Sequence, residues 1–262
     1  MCSPDVVRSA LAGAGLNAQT LAPAVRFAHE GGPAFRHVAD LTHTLSPRFP
    51  VFPFYEPFRM RNLAAVEKDG WAANELTFAE HTGTHLDAPA HFVANGQTAE
   101  ALEVSRFLAP LVVVSVAERA ARDEDALVTV DDLTDWERAH GRIPDGAVVV
   151  MDSGWEPRVA QPGRFLNADA AGVMHHPGWS RVAAEWLVHE RAITGVGTDT
   201  ISLDFGASTT YEAHQVLLGA GKYGLECVAS LGSVPPCGAT LVVGAPKHEG
   251  GTGGPTRLLA LY

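Results

Sequence analysis

Residues 81–92 read HTGTHLDAPAHF and place His81, His85, Asp87 and His91 within eleven positions. All four are odd-numbered. In an extended segment alternate side chains point the same way, so these groups would share one face. The even positions carry Thr82, Thr84, Leu86, Ala88, Ala90 and Phe92, which suit a packed reverse side. An i, i+4 histidine pair also occurs on zinc-binding helices, but Gly83, the β-branched Thr82 and Thr84, and Pro89 disfavour a helix here. The pattern predicts a strand that enters a turn at Pro89. Imidazole nitrogens and a carboxylate are the ligands Zn2+ and Mn2+ take at open catalytic sites. Hydrogen-bonded histidines in a polar loop are the alternative for any one of them; four ligand-type groups on one face favour a metal.

One such stretch does not complete a site. Residues 211–228, YEAHQVLLGAGKYGLECV, offer His214 among apolar neighbours and Glu226 inside the run GLECV. A carboxylate in a strand-like apolar run is costly to bury unless something pairs with it. A cation or an arginine would each serve, and the residues by themselves leave both open.

The 262 residues fit one large domain or two small ones and carry a net charge of −11. That charge argues against nucleic acid or an anionic membrane as partner, both of which reward an excess of Lys and Arg. No run approaches the ~18 apolar residues of a membrane span. The N-terminal residues lack the basic and apolar segments of a secretory leader. Cys2, Cys227 and Cys237 have no C-x-x-C spacing and an odd count, so reduced thiols and a cytoplasmic location are expected.

Along the chain, residues 1–35 read as an Ala- and Gly-rich arm with a helix near 5–12, and 36–262 as the main domain. Strands are expected at 37–42, 111–116, 147–151, 193–197, 239–245 and 258–261. Helices are expected over 132–139, behind Thr129, and over 180–192 with Ser180 as N-cap. Prolines at 47, 50, 53 and 57 force an extended loop. The outcome is one α/β domain with more strand than helix.

The stretch at 81–92 resembles the H-x-G-T-H-x-D-x-P-x-H-F signature of the metal-dependent cyclase-like hydrolases, a family that includes kynurenine formamidases and isatin hydrolases. DLTHTLSPRFPVFP, GVGTDTISLDFG at 195–206, the His214 and Glu226 pair, and GATLVVGAPKHEGGTGGPTRLLAL follow in the expected order, so the likeness covers residues 38–262. The tail and MHHPGW at 174–179 resemble the isatin hydrolase branch. The resemblance implies a single β-rich swivelling β/β/α domain in homodimers or tetramers. It implies that His81, His85 and Asp87 hold a divalent ion, Mn2+ or Zn2+, that His214 and Glu226 complete a second position, and that His91 is the acid and base. One or two ions would be bound.

A divalent ion lowers the pKa of its water towards ~7. With His91 moving the proton, the expected reaction is hydrolysis of a C–N bond in a small aromatic amide, lactam or formamide; a cyclising or dehydrating enzyme would use the same groups. Phe52, Phe54 and Trp71 are the leading aromatic candidates for the substrate pocket, ahead of Trp155, Phe165 and Trp179, and His43 is a possible substrate contact. Asp199 and Asp204 could orient metal-bound histidines or simply cap turns, with the turn favoured for Asp204. GGTGGP at 250–255 lacks the Lys-Ser/Thr of a phosphate loop and reads as a tight loop near the site. Ser153 in MDSGW lacks a G-x-S-x-G elbow, so the sequence does not support a serine hydrolase.

Overall fold

The computed structural model describes residues 35–262. The helix expected near residues 5–12, and the arm up to residue 34, lie outside the described residues. By packing, the chain divides into Phe35–Arg59 with Thr77–Tyr262, and a second unit whose described part is Met60–Leu76.

The larger unit is organised by a sheet whose strands alternate between two apolar cores. In β3 (Leu108–Ser115), Leu111 and Val113 face one core while Val112 and Val114 face the other. In β4 (Val148–Asp152), Val148 and Val150 alternate in the same way with Val149 and Met151. A strand buried on both faces reads as a continuous apolar run, which is why these two were legible in the sequence. Around them lie β1 (Val38–Asp40), β2 (His85–Asp87), β5 (Gly195–Thr198), β6 (Tyr223–Glu226), β7 (Ala239–Gly244), β8 (Gly253–Pro255) and β9 (Arg257–Leu261). Among the described residues the order is β1-β9-β7-β3-β4-β5-β6-β2-β8. The central run from β3 to β6 is parallel. The strands on either side of that run pair antiparallel.

Three helices cover one face: α1 (Val130–His140), α2 (Arg181–Glu190) and α3 (Glu212–Gly219). Leu133 and Trp136 of α1, Ala183 and Leu187 of α2, and Ala213 and Leu217 of α3 pack on Val112, Val149 and Val196. Thr129 and Asp132 form a capping box at the start of α1, and the Ser180 hydroxyl accepts from Ala183 N at 3.2 Å. The other face is closed by Leu41, Leu86, Ala88, Tyr223 and Val228. A bridge between Thr42 and Val228, with Ala229 N donating to Leu41 O, ties the segment after β1 to that after β6.

Three expectations change. The strand expected through His81 is confined to His85–Asp87, because Gly83 turns the backbone with φ of +70°. Helix α3 was not anticipated. Trp155, Phe165 and Trp179 are 0–1% exposed and belong to apolar cores, with the two indole N–H groups donating to Phe165 O and Gly197 O. The substrate could reach none of these rings without unpacking a core.

In the second unit, Arg59–Ala64 pairs with Ala73–Thr77, joined through a helical turn, Val66–Asp69, that ends at Gly70 with φ of 78°. Arg61 and Glu75 form a 2.7 Å ion pair across it. Trp71 belongs to this hairpin and is exposed. No described helix is long and apolar enough to cross a membrane.

Candidate metal centre

Strand pairing assembles the site. Glu226 lies directly across from His85, and Gly224 across from Asp87, in the antiparallel β6–β2 ladder. Paired residues present side chains to the same side, so Glu226, His85 and Asp87 converge although 139 positions separate Asp87 from Glu226. On the other flank, Gly253 of β8 also faces Asp87. His81 precedes the strand and reaches Asp87 Oδ1 at 2.6 Å because the Gly83 turn folds it back. His91 ends a short turn, Pro89–His91, and stacks on the His81 ring with centroids 3.7 Å apart. Helix α3 supplies His214, whose Nε2 lies 3.1 Å from Glu226 Oε1 and 3.5 Å from Asp87 Oδ2.

Hydrogen bonding fixes which ring nitrogens face inward. His85 Nδ1 lies 2.8 Å from Gly83 O, which can only accept, so the imidazole donates there and its Nε2 carries a lone pair when neutral. His214 Nδ1 likewise donates to Asp204 Oδ2 at 2.6 Å. Those inward nitrogens meet carboxylates: His85 Nε2 is 3.3 Å from both Asp87 Oδ1 and Glu226 Oε2. Lone pairs facing carboxylate oxygens in a buried pocket demand a positive charge between them. His85 Nε2 and Asp87 Oδ2 have no hydrogen-bond partner. No Lys or Arg among the described residues pairs with Asp87 or Glu226. Two three-residue groups meet the spacing of a cation site, His81 with Asp87 and His91, and His85 with Asp87 and Glu226. Asp87 belongs to both. The donor set and its orphaned atoms therefore fit a divalent ion.

The same anionic field appears in the titration behaviour. Burial disfavours charged His85, yet Asp87 and then Glu226 outweigh it and push its pKa up to about 10. His214 is raised well above the usual imidazole value, its burial overcome by Asp204, Asp87 and Glu226. Asp87 is opposed by burial but held well below the ordinary carboxylate range, by His85 first. A cation would compete with these protons for the same inward-facing nitrogens. His91 moves the other way. Burial lowers it to about 4, leaving a neutral imidazole at pH 7.

The cluster floors a cavity of about 190 Å3 with Phe52, Phe54, Tyr55, Phe92, Ile201, Ser202 and Tyr211 around it. That volume lies below the ~300–1,000 Å3 of pockets for drug-sized ligands and leaves room only for a compact molecule. Phe52 and Phe54 are walls of this cavity. His43 instead lines a separate recess beside Thr82, Thr84 and Arg257, its ring 5.4 Å from that of Phe49. Tyr55, Ile201, Ser202 and Tyr211 carried no signal in the sequence that separates them from ordinary loop residues. Asp204 does not cap its own turn, the reading the sequence favoured: its Oδ1 accepts from Ala213 N at 2.8 Å at the start of α3, and its Oδ2 accepts from His214 Nδ1 at 2.6 Å. Asp199 touches no histidine; it accepts from Ser153 N, Ser153 Oγ and Trp155 N.

Residues 39–205 match the family described as "Putative cyclase". The chain belongs to the cyclase family. Among members of the cyclase family, an isatin hydrolase of Roseibium aggregatum is 35% identical, the match covering 86% of this chain and 91% of that protein. The structure of isatin hydrolase A from Ralstonia solanacearum superposes with a TM-score of 0.82 at 39% identity, over 86% of this chain and 91% of that one. An isatin hydrolase bound to the product analogue thioisatinate gives 0.81 at 33% identity, over 86% and 92%. These likenesses bear out the cyclase-like α/β fold.

Proposed function

We propose that this cyclase-family protein is a metal-dependent hydrolase that opens the C–N bond of a small cyclic aromatic amide of the isatin type. The observation that carries this reading is Asp87, a buried carboxylate shared by two groups with the spacing of a cation site, whose other members His81, His85, His91 and Glu226 line an aromatic-walled cavity. The names of the relatives supply the substrate class.

His81, His85 and Asp87 would hold a divalent ion, Mn2+ or Zn2+, with His214 and Glu226 completing its surroundings or a second position. When bound, the ion lowers the pKa of water and polarises a carbonyl. Phe52, Phe54 and Tyr55 on one loop and Phe92 and Tyr211 around the floor offer ring faces to a planar substrate. His91, neutral at pH 7, accepts the proton of the attacking water as its oxygen joins the carbonyl carbon. The carbonyl C–N bond breaks and His91 returns the proton to the leaving nitrogen, giving an aromatic amine and a carboxylic acid that releases its remaining proton to solvent as the carboxylate. Asp87 and Glu226 stabilise the transient positive charge on His91, since both raise its proton affinity. The His91 ring keeps its place by stacking on His81 and packing edge-on against Phe92, with centroids 4.8 Å apart.

The test is activity on isatin, N-formylkynurenine and simple lactams, before and after chelation and on restoring Mn2+ or Zn2+. Release of a free carboxylate, lost on chelation and regained with metal, supports the hydrolase. Undiminished activity after exhaustive chelation would refute it, and ring closure or dehydration without carboxylate would favour the cyclising alternative. A homo-oligomer acting in the cytoplasm remains part of this reading.

A further inference from the structure

Two of the three histidines facing the carboxylates are oriented by acceptors already described, Gly83 O for His85 and Asp204 for His214. His81 differs, because its outer nitrogen meets a hydroxyl, which can donate or accept. His81 Nε2 lies 3.1 Å from Thr252 Oγ1. Thr252 Oγ1 in turn donates to Glu80 Oε2 at 2.5 Å. A hydroxyl has one proton. With that proton committed to a carboxylate, Thr252 can only accept from His81, which places a hydrogen on Nε2; in the neutral ring the lone pair is then on Nδ1, the atom 2.6 Å from Asp87 Oδ1.

Glu80 is itself anchored for this duty. Its carboxylate receives Thr252 N at 3.2 Å and His248 Nε2 at 2.5 Å, so the Gly-rich loop of residues 248–253 is drawn onto the residue preceding His81. The loop is fixed from the other side by Ala99 N donating to Gly251 O, Ala88 N to Thr252 O, and Gly250 N to Glu100. Gly253 then enters β8 opposite Asp87, where any side chain would strike Leu86 O and the His81 ring.

We infer that Thr252, held by Glu80, is a positioning residue that sets the tautomer and orientation of His81 so that Nδ1 faces the cation. This rests on the metal site proposed above. Neither residue would touch substrate. The partnership extends the usual histidine–carboxylate relay through a hydroxyl, and outer partners of this kind are worth 10- to 100-fold in metal affinity.

The experiment titrates Mn2+ and Zn2+ into the metal-free full-length chain against a chromophoric chelator, for wild type, Thr252→Val, Thr252→Ser and His81→Ala. Valine keeps the shape of threonine and removes the hydroxyl; serine keeps the hydroxyl. The expected result is a loss of about tenfold or more in affinity for Thr252→Val, and recovery in Thr252→Ser. At saturating metal, kcat of Thr252→Val should return towards wild type. Wild-type affinity in Thr252→Val, beside a clear loss in His81→Ala, overturns the positioning role and leaves the metal site standing. Loss in both Thr252 variants alike overturns it too, since a hydroxyl role requires serine to rescue. A wild-type chain that binds neither ion overturns the metal reading itself, and the role of Thr252 with it.

Discussion

Gly224 lies directly across from Asp87 in the β6–β2 ladder, and its missing side chain gives the carboxylate its room. A Cβ at position 224 would come within 2.9 Å of Leu203 Cδ1 and 3.2 Å of Asp87 Oδ2. Gly224→Ala is therefore expected to displace Asp87. Turnover should fall at least about tenfold through weakened metal binding, and stability by about 1–3 kcal/mol. Metal analysis after dialysis and a thermal melt check the two effects separately; full metal content with an unchanged melt would contradict the crowding argument.

His91→Ala tests the division of labour around Asp87. His91 can belong to a cation group with His81 and Asp87, yet it is the one cluster histidine with a strongly lowered pKa. As acid and base, its loss should cost about 10²- to 10⁴-fold in kcat with metal content retained. Loss of metal along with activity would instead make His91 a ligand.

Metal affinity should rise with pH. His85 is raised to about 10 by Asp87 and Glu226, so it holds a proton at pH 7 in the metal-free protein, and His214 is shifted in the same direction by Asp204, Asp87 and Glu226. Binding a cation must expel those protons. Affinity is expected to increase about tenfold per pH unit for each proton released between pH 6 and 9. A competition titration at several pH values reads this, and a flat profile would mean the histidines are not displaced.

Asp204→Ala removes both the acceptor for His214 Nδ1 and the one for Ala213 N at the start of α3. The loss of a cap costs about 1 kcal/mol. Freed of its orienting partner, His214 should also bind metal less well, by about tenfold. Asp204→Asn keeps an acceptor and is expected to fall between wild type and alanine in the same chelator titration.

Asp199 gives a stability signature away from the candidate cation site. Burial raises its carboxyl to about 6 despite hydrogen bonds from Ser153 and Trp155. A folded-state pKa above the unfolded value means that the folded chain binds the proton more tightly. The contribution to stability is complete below about pH 4 and is lost as pH rises through 6, a swing of about 3 kcal/mol. The stability of wild type relative to Asp199→Asn should therefore decline between pH 4 and 6, measured by denaturant melts across that range; a constant difference would refute the shift.

Much of this protein was legible without coordinates. The runs at 111–116 and 147–151 became β3 and β4 because a β-branched run buried on both sides leaves little choice. Thr129 and Ser180 announced α1 and α2, since their hydroxyls satisfy amide groups at the helix start. The site was half legible. The four groups at 81–91 stood out by density, but the parity argument that gathered them was incomplete: Gly83 breaks the strand, and His81 and His91 arrive through turns on either side of β2.

By itself the sequence determined the kinds of ligand present, the family, and the strands and helices whose periodicity repeats along the chain. Only the tertiary structure decided that Glu226 stands opposite His85, that α3 brings His214 to them, and that Thr252 reaches His81. Local patterns report which face a residue will bury, because that depends on its immediate neighbours. Which distant strand it meets, and in what register, is set by how the whole sheet closes around its two cores.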